Sequence, residues 1–205
     1  MANFFVNTWL NTILDAGAAD LDQVSLHSAW STSGANEVTG GSYARQAITW
    51  NSAASANLDS SNAPSFSVPS GQTVAWIGFW NTAPSPDTFM GMLPNRQSGD
   101  VGPIIRFIVD TAADTIESPT HGLANDDRVV FVGGTAPGGL TEGTHYWVVN
   151  VTTDNFQVGA TQGASPPITL TSQGDLDVAF SQIRVEAFAS DGTFNLTDAD
   201  LNFYE

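Results

Sequence analysis

The stretch Gln72-Thr-Val-Ala-Trp-Ile-Gly-Phe-Trp80 carries the strongest secondary-structure signal in this chain. It is rich in valine, isoleucine and aromatic residues, which favour β-strands, and the turn sequence Pro69-Ser-Gly71 stands directly before it. Side chains of a strand alternate between faces, so we expect Trp76 and Trp80 on one face and Phe79 on the other. We favour core packing between two sheets for these rings over a sugar-binding platform.

The rest of the chain shows a sequence pattern typical of short strands separated by turns. Regular short strands with turn signals are typical of a small sandwich or barrel. Residues 52–61 are mostly small and polar and predict a loop. Further strands are predicted at 24–30, 43–50, 66–68, 88–93, 104–109, 115–117, 128–132, 145–151, 155–158, 168–171, 176–180, 182–189, 193–196 and 198–204.

Only the N-terminal segment has a helical pattern. Asn3 is a potential N-cap, and Asp15 followed by Gly17 predicts the end of the helix. The expected role is to cover one face or end of a β-sandwich, and the alternative is docking into a neighbouring subunit. The apolar positions that follow the helical period are Phe5, Val6, Trp9, Leu10, Ile13 and Leu14.

Composition narrows the function classes. The 205 residues include 21 acidic and only five basic residues, with no lysine and no cysteine, for a formal net charge of −16. Such a surface repels phosphate backbones and anionic lipid, so we expect neither nucleic-acid nor membrane-surface binding. No run approaches the ~18 apolar residues of a membrane span, and the start at Met1 has no basic region of a signal peptide.

One long run resembles a known family. The segment Gly34-Ala-Asn-Glu-Val-Thr-Gly-Gly-Ser-Tyr-Ala-Arg-Gln-Ala-Ile-Thr-Trp50 is similar to small structural proteins of tailed phages, the tail-fibre or minor tail proteins. The strands Ser25-Leu-His27 and Val74-Ala-Trp-Ile-Gly-Phe-Trp80 and the closing segment Gly192-Thr-Phe-Asn-Leu-Thr-Asp198 extend this resemblance.

A second resemblance predicts an inserted domain. Thr120-His-Gly-Leu-Ala-Asn-Asp-Asp-Arg-Val-Val-Phe131, Gly139-Leu-Thr-Glu-Gly-Thr-His-Tyr-Trp-Val-Val149 and Asn155-Phe-Gln-Val158 resemble a β-module of phage fibre and virion proteins. An exposed loop of a β-sandwich tolerates such an insertion well. We therefore predict an all-β fold: a β-sandwich base at 1–105 and 181–205 with one N-terminal helix, and an inserted small β-sandwich or barrel at 106–180.

The resemblance implies a surface-exposed structural protein of the phage virion, assembled in the host cytoplasm. A tail fibre or minor tail protein is the first expectation, with a capsid decoration protein as the alternative. The implied partners are other tail or capsid proteins and further copies of the chain, since virion parts are symmetric. As an adhesin, it would bind a host-surface glycan or protein through the inserted domain.

No motif in the chain predicts catalysis, a cofactor or a metal. His27, His121 and His145 match no zinc spacing, and the acidic groups Asp191, Asp198, Asp200 and Asp126-Asp127 lack the helix-loop-helix calcium pattern. Glu37 and Glu117 are isolated, and Gly133-Gly-Thr-Ala-Pro-Gly-Gly139 lacks the Lys-Ser/Thr of a phosphate loop, so it predicts a flexible β-loop. A glycan hydrolase is thereby disfavoured. Tyr146 and Trp147 leave the same two alternatives open as the first aromatic strand, core packing or a sugar-binding platform.

Overall fold

The computed structural model describes residues 5–83, 85–96, 100–101 and 105–202, and within them the chain is all-β apart from one helix. This confirms the predicted fold class. Asn3 and residues 203–204 of the predicted last strand lie outside the described residues. The elements are α1 (Asn7–Ala18), β1 (Gln23–His27), β2 (Gln46–Ala47), β3 (Asn57–Asp59), β4 (Ser65–Val68), β5 (Thr73–Val74), β6 (Trp76–Asn81), β7 (Thr88–Pro94), β8 (Asp100–Val101), β9 (Ile108–Asp110), β10 (Thr115–Glu117), β11 (Arg128–Val132), β12 (His145–Val149), β13 (Asn155–Gly159), β14 (Ala179–Gln182), β15 (Glu186–Ala187), β16 (Gly192–Asn195) and β17 (Asp198–Asn202).

The chain divides into two compact units. The base unit comprises Met1–Pro103 and Arg184–Glu205, and the inserted unit comprises Ile104–Ile183. The boundaries expected from the sequence, after residues 105 and 180, fall close to these. Each unit has its own cluster of buried apolar side chains.

The base unit is built from layered β-structure. Its largest sheet has the antiparallel order β2-β1-β6-β7, with a bulge in β7 opposite Phe79 and Trp80. Smaller sheets pair β15 with β5, β16 with β4, and β17 with both β3 and β8. Ile77 and Phe79 of β6 point into a core that also holds Phe66 of β4 and Phe194 of β16, which lie directly opposite each other. The apolar core therefore lies between the large sheet and the β4–β16 pair, as in a sandwich.

Helix α1 packs on β3 through a narrower face than its sequence pattern predicts. Leu10 and Leu14 are buried, while Phe5, Val6, Trp9 and Ile13 are exposed. The prediction of one apolar face that covers the sandwich is therefore right for only two of the six positions, because Phe5 and Val6 precede the helix and Trp9 and Ile13 lie outside its contact with β3. Within the described residues, no helix is long and apolar enough to cross a membrane.

The inserted unit is one curved antiparallel sheet in the order β14-β11-β12-β13-β10-β9. Ile105, just before β9, exchanges two backbone hydrogen bonds with Phe180 of β14, at 2.7 and 2.9 Å. The two edges of the sheet thus approach each other as in a small barrel. Phe131, Phe156 and Phe180 are fully buried and fill its interior.

Several local predictions were wrong. The strand predicted at 43–50 is limited to Gln46–Ala47, and the one predicted at 182–189 is interrupted at 183–185. The loop predicted at 52–61 contains β3. Residues 168–171 form no strand, although Leu170 is buried. Leu176, predicted to begin a strand, lies in a turn with an exposed side chain, and β14 starts three residues later.

Candidate functional site

A buried chain of polar side chains lies on the face of the large sheet that points away from the sandwich core. Ser25 and His27 are two residues apart on β1 and therefore share this face. The Nδ1 atom of His27 donates to the backbone carbonyl of Ala35 at 2.8 Å, because a carbonyl can only accept. The hydroxyl of Ser25 then donates to Nε2 of His27 at 2.7 Å and accepts from Nε1 of Trp80 at 2.7 Å.

This Ser–His pair has the composition of a nucleophile and a base but not the access. Ser25 and His27 are both 0% exposed, so no substrate reaches the hydroxyl. Burial lowers the pKa of His27, against the opposing effect of the hydrogen bond to Ala35, and this favours the neutral ring. The arrangement therefore anchors the segment around Ala35 to the sheet.

Arg45 packs on the same face of the sheet and forms ion pairs with two carboxylates there. Its guanidinium carbon lies 3.3 Å from the centroid of the Trp80 ring. The guanidinium donates to both carboxylate oxygens of Glu37, at 2.8 to 3.2 Å, and to Asp87 at 3.1 Å. The hydrogen bonds to Glu37 raise the pKa of Arg45, and burial raises the pKa of Tyr43, whose hydroxyl also donates to Glu37. Glu37, isolated in the sequence, is thus the centre of a structural ion-pair cluster.

A cluster of carboxylates forms where β3 meets β17. Asp59 stands directly opposite Asp200, and Asp198 is two residues before it on the same strand. One carboxylate oxygen from each of the three lies within 4.8 Å of the others. The hydrogen bond to Asp200, with desolvation and the charges of Asp200 and Asp198, raises the pKa of Asp59 to about 6. The amide of Asn57 donates to Asp200 at 3.0 Å.

The carboxylate cluster can share a proton or contribute oxygen ligands to a divalent cation. Calcium takes about six to eight oxygen ligands, so three side chains supply only part of a coordination shell. The sequence singled out Asp198 and Asp200 but missed Asp59, whose strand was predicted to be a loop. Asp191, also singled out, instead accepts the backbone N–H of Ser70 at 2.8 Å. No histidine belongs to the cluster.

The histidines of the inserted unit have local structural roles. Nδ1 of His121 accepts the backbone N–H of Leu123 at 3.0 Å, and its ring packs edge-on against Phe156. Desolvation, and then the nearby charge of Arg128, lowers the pKa of His145. Arg128 lies 4.1 Å over the ring of Trp147.

Two other residues that the sequence singled out in this unit, Tyr146 and Asp127, also have structural roles. Tyr146 is buried in the barrel core. A carboxylate oxygen of Asp127 accepts the backbone N–H of Ala124 at 2.8 Å, a common turn arrangement. Neither Asp126 nor Asp127 joins a group that could hold a metal within the described residues.

The glycine-rich loop at 133–139 is not a phosphate cradle. Its backbone N–H groups already have carboxylate partners: Glu142 accepts from Gly133 at 3.0 Å, and Asp175 accepts from Thr135 at 2.9 Å. The hydrogen bonds from Thr135 lower the pKa of Asp175. The loop was predicted to be flexible, but these bonds hold it in place, and an anionic ligand would have to displace two carboxylates.

The other surface feature of note is formed by the exposed side of α1 and the two residues before the helix. The rings of Phe5 and Trp9 stack with their centroids 4.4 Å apart. Together with Val6 and Ile13 they form an apolar surface, which we call the helix stripe. It is an uncharged patch on a strongly acidic protein and therefore a candidate protein-binding surface.

Comparison with known proteins adds no relative to these observations: a scan against protein-family models, a search of curated proteins and a search of solved structures each found no match.

Proposed function

We propose that this chain is a non-enzymatic structural protein on the surface of a tailed-phage virion, of the tail-fibre or minor tail protein class. The observation that carries the proposal is that three separated phage-like segments share one core. Val38 and Ile48 come from the first segment, Phe79 from the second and Phe194 from the third, and all four are buried in the core of the base unit. The resembling residues thus form one folded body.

The second resemblance also corresponds to a structural unit. Its segments include β11, β12 and β13, which are adjacent strands of the inserted unit. Phe131, Val148 and Phe156 from these strands lie in one core. A contiguous module with its own core, placed in the connection between two base strands, fits a virion protein that combines an attachment part with a second part.

The chemistry of the described residues supports a structural rather than an enzymatic role. The Ser25–His27 pair is buried, and its hydrogen bonds are used internally. Carboxylate oxygens of Asp59, Asp198 and Asp200 lie within 4.8 Å of one another, closer than the separation of about 5 Å or more of a glycosidase pair. The acidic surface favours solubility at the high local concentrations of a virion.

The test is the location and copy number of the chain in purified particles. We expect the chain in virions by mass spectrometry, with a few to a few dozen copies per particle and density on the tail by cryo-electron microscopy. Several hundred copies with density on capsomers would replace the tail assignment with capsid decoration. Absence of the chain from purified particles would overturn the proposal as a whole.

A further inference from the structure

The helix stripe is unusually exposed for an apolar surface. Phe5 is 58% exposed, Val6 70%, Trp9 47% and Ile13 38%. Trp9 and Ile13 are four residues apart on α1, a spacing of anchors in helices that bind in apolar grooves, and Phe5, just before the helix, stacks on Trp9. Tryptophan and other aromatic residues are also enriched at the energetic centres of protein interfaces.

The base unit does not need the helix stripe to hold α1 in place. Leu10 and Leu14 are buried on an adjacent face of the helix, about 100° around its axis from Trp9 and Ile13. In addition, the side chain of Asn11 accepts the backbone N–H of Ala56 at 2.7 Å, and Asp15 accepts that of Ala53 at 2.6 Å. These contacts fix the helix and leave the stripe facing outward. Its apolar residues therefore require another explanation than packing within the described chain.

A second copy of the chain is a poor occupant for this surface. The four side chains expose roughly 400 Å² together, so pairing two stripes would bury roughly 800 Å², below the ~1,200 Å² of a stable interface. The base unit also has twelve acidic residues against three arginines, a net charge of −9, so two copies repel each other. A partner groove whose rim also contacts the acidic surface around the stripe adds area beyond the four side chains, and positive charge on that rim replaces repulsion with attraction.

We propose that the helix stripe docks into an apolar groove, rimmed by lysine or arginine, on another protein of the same virion. The inference rests on the proposed function and names the attachment surface for it. The apolar contact supplies the affinity, and the charge steers the acidic base unit to the groove and makes attachment sensitive to ionic strength.

The experiment compares attachment of three forms of the full chain. A phage whose own copy of the gene is deleted is grown in cells that supply wild type, the Phe5→Ser/Trp9→Ser variant or the Met90→Ser variant. Met90 is a matched control, since it is 46% exposed on the same unit but lies on β7. Circular dichroism and thermal unfolding of the purified chains establish that each is folded. The number of copies of the chain per particle is then measured by mass spectrometry. Particles are also washed at about 0.05 to 1 M NaCl, which spans weak to strong screening.

We expect wild type and Met90→Ser in the particles, at least about tenfold less of the double variant, and release of wild type as salt rises. Wild-type incorporation of a folded double variant would overturn the docking inference and leave the virion assignment intact. Absence of wild type itself would overturn the virion assignment. A dimer of purified wild type that the double variant loses would favour a second copy over a basic partner, and retention at high salt would exclude the basic rim.

Discussion

Substitution of Gly78 by alanine tests the packing of the buried polar chain. Gly78 lies on β6 directly opposite Ser25 of β1. A Cβ atom at this position would lie 2.5 Å from Nε2 of His27 and 2.6 Å from Oγ of Ser25. Both distances are well inside van der Waals contact, and β6 is held between β1 and β7, so the strand has little room to retreat.

The expected cost follows from two effects. Separation of Ser25 from His27 leaves a buried ring nitrogen without a donor, at about 1–3 kcal/mol. Overpacking of the surrounding side chains adds about 1–3 kcal/mol. Alanine loses less backbone entropy on folding than glycine, which offsets about 0.5–1 kcal/mol of this cost. We therefore expect Gly78→Ala to lower the free energy of unfolding of the base unit by about 3 kcal/mol, a large part of the ~5–15 kcal/mol typical of a domain.

The assay is urea unfolding followed by tryptophan fluorescence. Five of the six tryptophans belong to the base unit, so the signal reports mainly on it. Gly17→Ala is the matched control: Gly17 lies in α1, and an added Cβ would have no atom within 4 Å. That variant should be stabilised by up to about 1 kcal/mol. If Gly78→Ala destabilises by less than about 1 kcal/mol, the hydrogen-bonded Ser–His arrangement is refuted.

Three further predictions concern the carboxylates, the arginine cluster and the inserted unit. Because the raised pKa of Asp59 means that its ionised form is disfavoured in the folded state, Asp59→Asn should raise the melting temperature at pH 7.5. This gain should shrink as pH falls from about 6 toward 3.8, because folded wild-type Asp59 takes up its proton in that range. A loss of stability of the variant at pH 7.5 would instead mark Asp59 as a cation ligand. Arg45→Lys keeps the charge but loses the two-pronged contact with Glu37 and the planar stacking on Trp80. Urea unfolding should therefore show a loss of about 1–2 kcal/mol in the free energy of unfolding. An unchanged unfolding midpoint would contradict a stabilising role of these Arg45 contacts. Residues 104–183 expressed alone should fold, since their core is self-contained, and should give dispersed amide NMR signals rather than the collapsed spectrum of an unfolded chain.

Local signals predicted the strands well where composition and turns agree. The predictions for β10 and β11 match the observed bounds, because β-branched and aromatic residues stand there between clear turns. The same-face position of Ser25 and His27 also follows from strand alternation alone. Their partners do not, because Ala35 and Trp80 reach them through loop geometry and cross-strand pairing that no local pattern encodes.

Long-range pairing explains what the sequence could not predict. The short strand at Asn57–Asp59 lies in a small, polar segment and forms because it pairs with β17 near the other end of the chain. The side chains of Asn57 and Asp200 that meet there are 143 residues apart in sequence. The carboxylate cluster depends on this pairing, so Asp198 and Asp200 were visible as a motif while Asp59 was not.

The same long-range pairing supports a division of labour between the two units. Val101, the last described residue before the insertion, pairs with Ala199 of β17, and after the insertion Arg184 exchanges hydrogen bonds with Asn95, at 2.6 and 3.2 Å. The base residues on either side of the insertion are thus held by other strands and loops of the base, and the base core among the described residues consists of base side chains. Such a connection accepts changes in the inserted sequence at little cost to the base. Under the proposed function, attachment through the helix stripe would therefore stay constant while the inserted unit is free to diverge.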